Sequence, residues 1–222
     1  MELPSPFREQ DGQIAIDLPG AHVVFTTRSW GDVRETQTEI AQRLGLRIVR
    51  PRQVHGDKVI AVAEAQADQR HEADALVTAT PGLAPMVITA DCLPIVIATP
   101  GAVAVVHAGW RGLDQGLIGS AVDALRVLSA GVMTAAIGPG AGVCCYEVGD
   151  DLHRRFKTRC QDFRRGDNLD LKAIARVQLM EAGVARIHDA AICTICGDPA
   201  LTFSHRREGA QTGRQAALAW LS

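Results

Sequence analysis

The feature that most constrains this chain is a series of short, nearly unbroken apolar and β-branched runs, at residues 21–27, 47–50, 58–62, 75–78, 85–89, 94–99, 102–106 and 134–137. Runs of this length read as strands, and several lack the polar alternation that would suit one face to water. A buried central sheet is expected. Between the runs, residues 32–44 and 113–128 place apolar side chains at helical spacing, the second through Leu113, Leu117, Val122, Leu125 and Leu128. Shorter helices are expected at 152–156 and 171–180, and 215–221 reads equally as strand or helix. The strands between 75 and 106 succeed one another at hairpin-like intervals, which fits a wholly parallel, doubly wound sheet poorly. The fold class expected is therefore α/β, with mixed β-sheets and flanking helices. With no repeat, low-complexity segment or long linker, residues 1–222 read as a single domain.

Composition narrows the function classes. A chain of 222 residues that is 47% hydrophobic and 22% charged can bury a full core, which argues against disorder. Its net charge of −2, its isoelectric point near 6.4 and the lack of a basic run offer no field for a phosphate backbone, so no nucleic-acid partner is expected. The opening MELPSPFREQDGQIAIDLPG has neither the basic start nor the apolar core of a signal peptide, and no apolar stretch reaches the roughly 18 residues of a membrane span. A cytoplasmic protein without membrane attachment is expected. In a reducing compartment the six cysteines, Cys92, Cys144, Cys145, Cys160, Cys193 and Cys196, are expected as buried, metal-bound or catalytic thiols.

Three residues at predicted strand ends are candidate metal ligands. His55 lies in a turn before Gly56, between two strands. Cys92 sits in Thr89-Ala90-Asp91-Cys92-Leu93-Pro94, where an acid and a thiol interrupt two apolar strands. His107 closes a strand just before a helix start, where α/β folds place chemistry. Two imidazoles and a thiolate suit zinc, and three protein ligands leave a fourth tetrahedral position open. Such a site lowers the pKa of a bound water to about 7 and supports hydrolytic chemistry such as deamination. Each residue also has a plain packing explanation, and the dispersed spacing does not decide between them.

The motifs RQVHGDKV (52–59), ADALVT (73–78), TADCLPIVI (89–97), VVHAGWRGL (105–113), IGPGAGVCCYEV (137–148) and FSHRREGAQTGR (203–214) occur in one order. In this the chain resembles the laccase-domain, or polyphenol-oxidase-like, purine nucleoside phosphorylases from about residue 20 to the C-terminus. The resemblance implies a single-domain α/β fold and one zinc ion per chain held by His55, Cys92 and His107. It also implies phosphate-dependent cleavage of adenosine, inosine, guanosine and methylthioadenosine, together with adenosine deamination. Copper is not expected, because oxidases that reduce dioxygen need several coppers and many histidines, whereas only two of the seven here fall in the site. One departure is His205, where the family has an aromatic residue before Arg206-Arg207.

Beyond the ligands, Asp91 is a candidate acid/base or a residue that closes a turn or orients a ligand; it reaches the same cleft as Cys92 only if the backbone turns there. Arg111 is the candidate phosphate-binding residue, and Arg52 and Gln53 are candidates for contact with the nucleoside or for support of His55. Gly138-Pro139-Gly140 reads as a pocket wall and Cys145 and Tyr146 as packing, while Arg206, Arg207 and Arg214 read as a solvated basic group, with a contribution to phosphate binding as the alternative. The roles of Cys193 and Cys196 stay open, since their CxxC has no partner CxxC. Three other readings remain: Cys92 as a nucleophile activated by His107 or His55 in a cysteine hydrolase or amidase, a laccase-like polyphenol oxidase, and a zinc-stabilised binding module. Monomer and homodimer are both compatible with the sequence.

Overall fold

The computed structural model describes residues 3–63, 71–157 and 162–222. Its strands are β1 (Arg8–Gln10), β2 (Gln13–Leu18), β3 (Ala21–Thr26), β4 (Arg47–Val49), β5 (Val59–Ala61), β6 (Ala75–Thr78), β7 (Leu83–Thr89), β8 (Leu93–Thr99), β9 (Ala102–Ala108), β10 (Thr134–Ile137), β11 (Arg164–Arg165), β12 (Asn168–Leu169), β13 (Arg186–Asp189) and β14 (Gln215–Leu221). The helices are α1 (Val33–Leu44), α2 (Trp110–Asp114), α3 (Leu117–Leu128), α4 (Asp150–Phe156), α5 (Leu171–Glu181) and α6 (His205–Glu208). Two six-stranded mixed sheets result, in the orders β1-β2-β3-β14-β7-β4 and β13-β10-β8-β9-β6-β5. Most pairs are antiparallel, and β4–β7, β5–β6 and β10–β13 are parallel.

Alternation along the strands explains the unbroken apolar runs. In β8, Val96 and Ala98 join Phe25, Val87 and Ala217 of the first sheet in one cluster. Their neighbours Ile95 and Ile97 point the other way, against Leu117, Val122 and Leu125 of α3 and Ile174 and Leu179 of α5. The second sheet is thus covered on one face by the first sheet and on the other by helices. Met86 and Leu218 on the outer face of the first sheet pack on Val33 and Ile40 of α1. Four layers follow, helix, sheet, sheet, helix, and each fully buried branched aliphatic side chain between them contributes about 1.5–3 kcal/mol.

Asp32 caps α1 by accepting from the Arg34 N–H at 3.0 Å, and Gly45 closes it with a φ of 65°. The single helix expected over 113–128 is two, because Gly116 adopts a φ of 81° and ends one axis before the next begins. Residues 215–221 form strand β14, central in the first sheet between β3 and β7. Strands β1, β2, β11, β12 and β13 add to those expected from the sequence. Cys160 lies outside the described residues.

Candidate metal centre and substrate cavity

Strand register assembles the candidate ligands. β8 and β9 pair antiparallel through Leu93↔Ala108, so one step further Cys92 faces Gly109. A Cβ on Gly109 would lie 3.0 Å from the Cys92 Sγ and 3.4 Å from the His55 Cδ2, so the missing side chain makes room for both. β6 and β9 pair through Ala75↔Val106, which sets Asp74 beside His107; the His107 N–H donates to the Asp74 carbonyl at 2.7 Å. His107 therefore ends β9 inside the protein, while His55 approaches from the turn between β4 and β5.

Asp74, fully buried, fixes both histidines. Its Oδ1 partners His107 Nδ1 at 2.8 Å and accepts from the His55 N–H at 3.0 Å; its Oδ2 accepts from the Gly56 N–H at 2.7 Å and the Val54 N–H at 3.1 Å. Burial pushes the Asp74 carboxyl up, but these donors outweigh it and hold the group below its ordinary value. The bond to Nδ1 sets the His107 ring orientation, the usual device for aiming the other ring nitrogen at a metal. His55 takes a φ of 61° and Asp91 a φ of 95°, left-handed conformations that non-glycine residues hold only when their surroundings enforce them.

The donor atoms of His55, Cys92 and His107 all lie within 4.8 Å of one another, and the two imidazole rings meet edge to face at 4.8 Å between centroids. Burial raises the Cys92 thiol, yet His107 and His55 outweigh it and bring it to about 6. Burial lowers His107, yet the Cys92 thiolate and Asp74 carry it to about 9. The centre is thus built around a thiolate that requires positive charge beside it. A soft thiolate with two imidazoles, backed by a carboxylate, is a donor set that fits a divalent metal ion and leaves a position free.

These groups form one wall of a cavity of about 420 Å³. Asp91 lines it too: its left-handed backbone turns the chain so that it and Cys92 face the same space. The Asp91 Oδ1 accepts from the Thr194 hydroxyl at 2.6 Å and its Oδ2 from the Arg206 N–H at 2.8 Å. Arg111 stands on the cavity rim with its guanidinium 4.3 Å from the Trp110 ring centre. Gln53 lines the cavity, while its side-chain amide donates to the Ile88 carbonyl and accepts from the Ile88 N–H, both at 2.8 Å. Arg52 is not in this lining; its guanidinium pairs with Glu72 at the surface.

Three residues given other readings from the sequence also line the cavity. Arg206, stacked on Tyr146 with its guanidinium carbon 5.0 Å from the ring centre, and Arg214 join Arg111 as cations there. Burial and the neighbouring Arg34 push Arg214 down from its ordinary value, but an arginine remains charged at neutral pH. Arg207 is different: its guanidinium donates to the Thr194 carbonyl at 2.6 Å and pairs with Glu208, so it is a structural tie. His205 lines the cavity beside Arg206. Asp74 stands in the ADALVT motif, yet no local signal marks it as the partner of residues 54–56 and 107.

A helix-flanked double sheet with an open His/Cys centre at its end defines the class, and comparison with known proteins agrees. Residues 27–222 match the family model described as multi-copper polyphenol oxidoreductase laccase, and the chain belongs to that family. It is 41% identical over 207 residues to a Xylella fastidiosa protein named purine nucleoside phosphorylase, covering 85% of this chain and 78% of that one. A Pseudomonas aeruginosa protein of the same designation is 34% identical over 213 residues, covering 91% and 84%. Among solved structures, Neisseria meningitidis protein NMB0706 superposes with a TM-score of 0.82 at 31% identity, covering 96% of this chain and all (100%) of that one. YlmD from Geobacillus stearothermophilus gives 0.86 at 29% identity, covering 98% and 99%. Among the described residues no helix is long and apolar enough to cross a membrane.

Proposed function

We propose that this protein is a zinc-dependent enzyme that cleaves purine nucleosides with phosphate, its substrates including adenosine, inosine, guanosine and methylthioadenosine, and that it also deaminates adenosine. The observation that carries this reading is one cavity shared by an open His55/Cys92/His107 centre and three arginines. The relatives named purine nucleoside phosphorylase support the phosphorolytic part. The donor set favours zinc over copper, since among the described residues only His55 and His107 of the seven histidines share a metal-binding group.

Arg111, Arg206 and Arg214 supply planar, permanently charged donors that hold phosphate, and the Trp110 and Tyr146 rings keep two of these guanidinium groups in place. Phosphate so held is positioned against the anomeric carbon of the ribose, and this orientation replaces an encounter in solution. Ile88, Leu171 and Tyr146 form the apolar surface that receives the purine. Asp91, pinned by Thr194 and the Arg206 N–H, presents a carboxylate of fixed orientation that takes or returns a proton on the substrate. Asp74 keeps His107 in register and lends its negative charge to the cation site. Zinc, when bound, supplies Lewis acidity and a water made acidic enough to serve as hydroxide for deamination.

The test is metal analysis of purified protein alongside incubation with adenosine with and without phosphate. Adenine plus ribose 1-phosphate marks phosphorolysis, and inosine marks deamination. Adenosine left intact in the zinc-loaded protein would overturn the proposal. Rapid alkylation of Cys92 in a metal-free protein would instead favour a cysteine nucleophile.

A further inference from the structure

A second group of thiols lies outside the cavity. Cys144 and Cys145 in the turn after Gly142, and Cys193 and Cys196 in the segment after β13, bring four sulfurs within 4.8 Å of one another. Cys144 Sγ is 3.4 Å from Cys196 Sγ and 3.5 Å from Cys145 Sγ. A single tetrahedral ion with metal–sulfur bonds of about 2.3 Å requires sulfurs about 3.8 Å apart, close to these spacings. A disulfide requires about 2.05 Å, and the cysteines are unbonded. The pair that CxxC lacked in the sequence is supplied across the fold by adjacent Cys144-Cys145.

The backbone is shaped for the same purpose. The Gly142 N–H donates to Cys193 Sγ at 3.2 Å, and the Gly197 N–H closes the CxxC turn onto the Cys193 carbonyl at 2.9 Å. A Cβ on Gly197 would lie 2.3 Å from that carbonyl oxygen, so the tight knuckle needs glycine. The N–H groups of Cys196 and Ile195 join that of Gly142 at the Cys193 sulfur. The two segments are already zipped together: Thr194 N–H donates to Gly140 at 3.1 Å and Gly140 N–H to Ile192 at 3.3 Å. Between β13 and α6 the chain runs from Ala190 to Ser204 without a named helix or strand, and a loop of that kind needs a tie.

We propose that Cys144, Cys145, Cys193 and Cys196 form a second metal site, a closed four-thiolate centre for one zinc ion. Four protein ligands leave no position for substrate, so its role is structural: it clamps the loop that carries Thr194 against Asp91. Binding releases the thiol protons to solvent as the four thiolates form. The near-contact of all four sulfurs fits one ion, whereas a polynuclear iron–sulfur cluster assigns its cysteines to different irons and spreads them further apart.

The experiment is elemental analysis of the protein purified under reducing conditions, as wild type, as His55→Ala/Cys92→Ser and as Cys193→Ser/Cys196→Ser. The expected result is two zinc ions per chain in the wild type and one in each double variant. Cobalt(II) loading of His55→Ala/Cys92→Ser keeps the test independent of whether the other variant folds. It should give the intense visible bands and near-ultraviolet sulfur-to-metal charge transfer of a tetrahedral four-thiolate ion. One ion per chain in the wild type, lost entirely in His55→Ala/Cys92→Ser, would overturn the proposal; so would a cobalt spectrum without sulfur charge transfer. Failure of nucleoside turnover would leave this result unaffected, because the readouts are stoichiometry and spectrum.

Discussion

The centre at His55, Cys92 and His107 and the cluster at Cys144, Cys145, Cys193 and Cys196 use the same soft chemistry for opposite ends. The first takes one donor from a turn and two from strand ends, mixes nitrogen with sulfur, and leans on a buried carboxylate. The second takes all its donors from loops, uses sulfur alone, and leans on backbone N–H groups. Strand register holds the first in place without any ion, because the pairings of β9 with β6 and β8 already fix Asp74, Cys92 and His107. The loops of the second are framed only by the short backbone pairing of Gly140 with Ile192 and Thr194. Three donors beside a cavity define a place to react, whereas four donors near the surface define a clasp.

The comparison breaks most visibly at the first centre. Cys92→Ser is expected to reduce nucleoside turnover to the level of buffer while leaving the circular-dichroism spectrum unchanged; retained turnover would move the chemistry elsewhere. Asp74→Asn replaces an acceptor with an N–H donor facing other donors in a buried site, and should cost about 3–5 kcal/mol of stability, read from denaturant unfolding. In the fraction that folds, metal affinity should drop about 10- to 100-fold.

At the second cluster the order of effects is reversed. Cys193→Ser/Cys196→Ser should lower the melting temperature by about 5–10 °C, corresponding to 2–3 kcal/mol in a chain of this size. Its kcat/KM for nucleoside should fall far less than in Cys92→Ser. Equal losses of stability and activity would show that the two sites are not separable. Arg111→Ala should raise the KM for phosphate about tenfold with little change in that for nucleoside, as expected for a rim cation.

The smallest expected effect concerns the tie behind the clasp. Glu208 pairs with Arg28 and Arg207 and accepts from the Thr212 hydroxyl at 2.7 Å. Burial alone would raise its carboxyl, but these partners outweigh it and bring it from 4.5 to about 2. A depressed carboxylate contributes stability that is present above 4.5 and is lost as pH falls toward 2. The side chain is 27% exposed, so solvent screening limits the contribution to about 1 kcal/mol. Glu208→Gln should flatten unfolding free energy against pH in that window, and an unchanged slope would remove Glu208 from the tie.

The strand runs were legible because each depends on residues close in sequence, and the three candidate ligands because the motifs that carry them resemble a known family. β2 (Gln13–Leu18) is missing from the expected strands although Asp11-Gly12 and Pro19-Gly20 turn the chain at both of its ends and are local signals for it. Arg206 and Arg207 were indistinguishable as letters. In the fold one stacks on Tyr146 in the cavity and the other ties Thr194, because successive residues of a short helix leave it in different directions.

The sequence by itself determined that the chain is an α/β protein with strands buried on both faces, and the resemblance of its motifs to a known family named His55, Cys92 and His107 together. Apolar periodicity and motif spacing are local properties, and burial acts on them residue by residue. Tertiary structure alone decided that the sheets stack on each other and that Asp74 serves both histidines. It likewise decided that Arg52 stays outside the cavity, and that Cys144-Cys145 meets Cys193 and Cys196 across roughly fifty residues of chain. Such meetings depend on strand register and layer packing, which arise only when distant segments compete for one core.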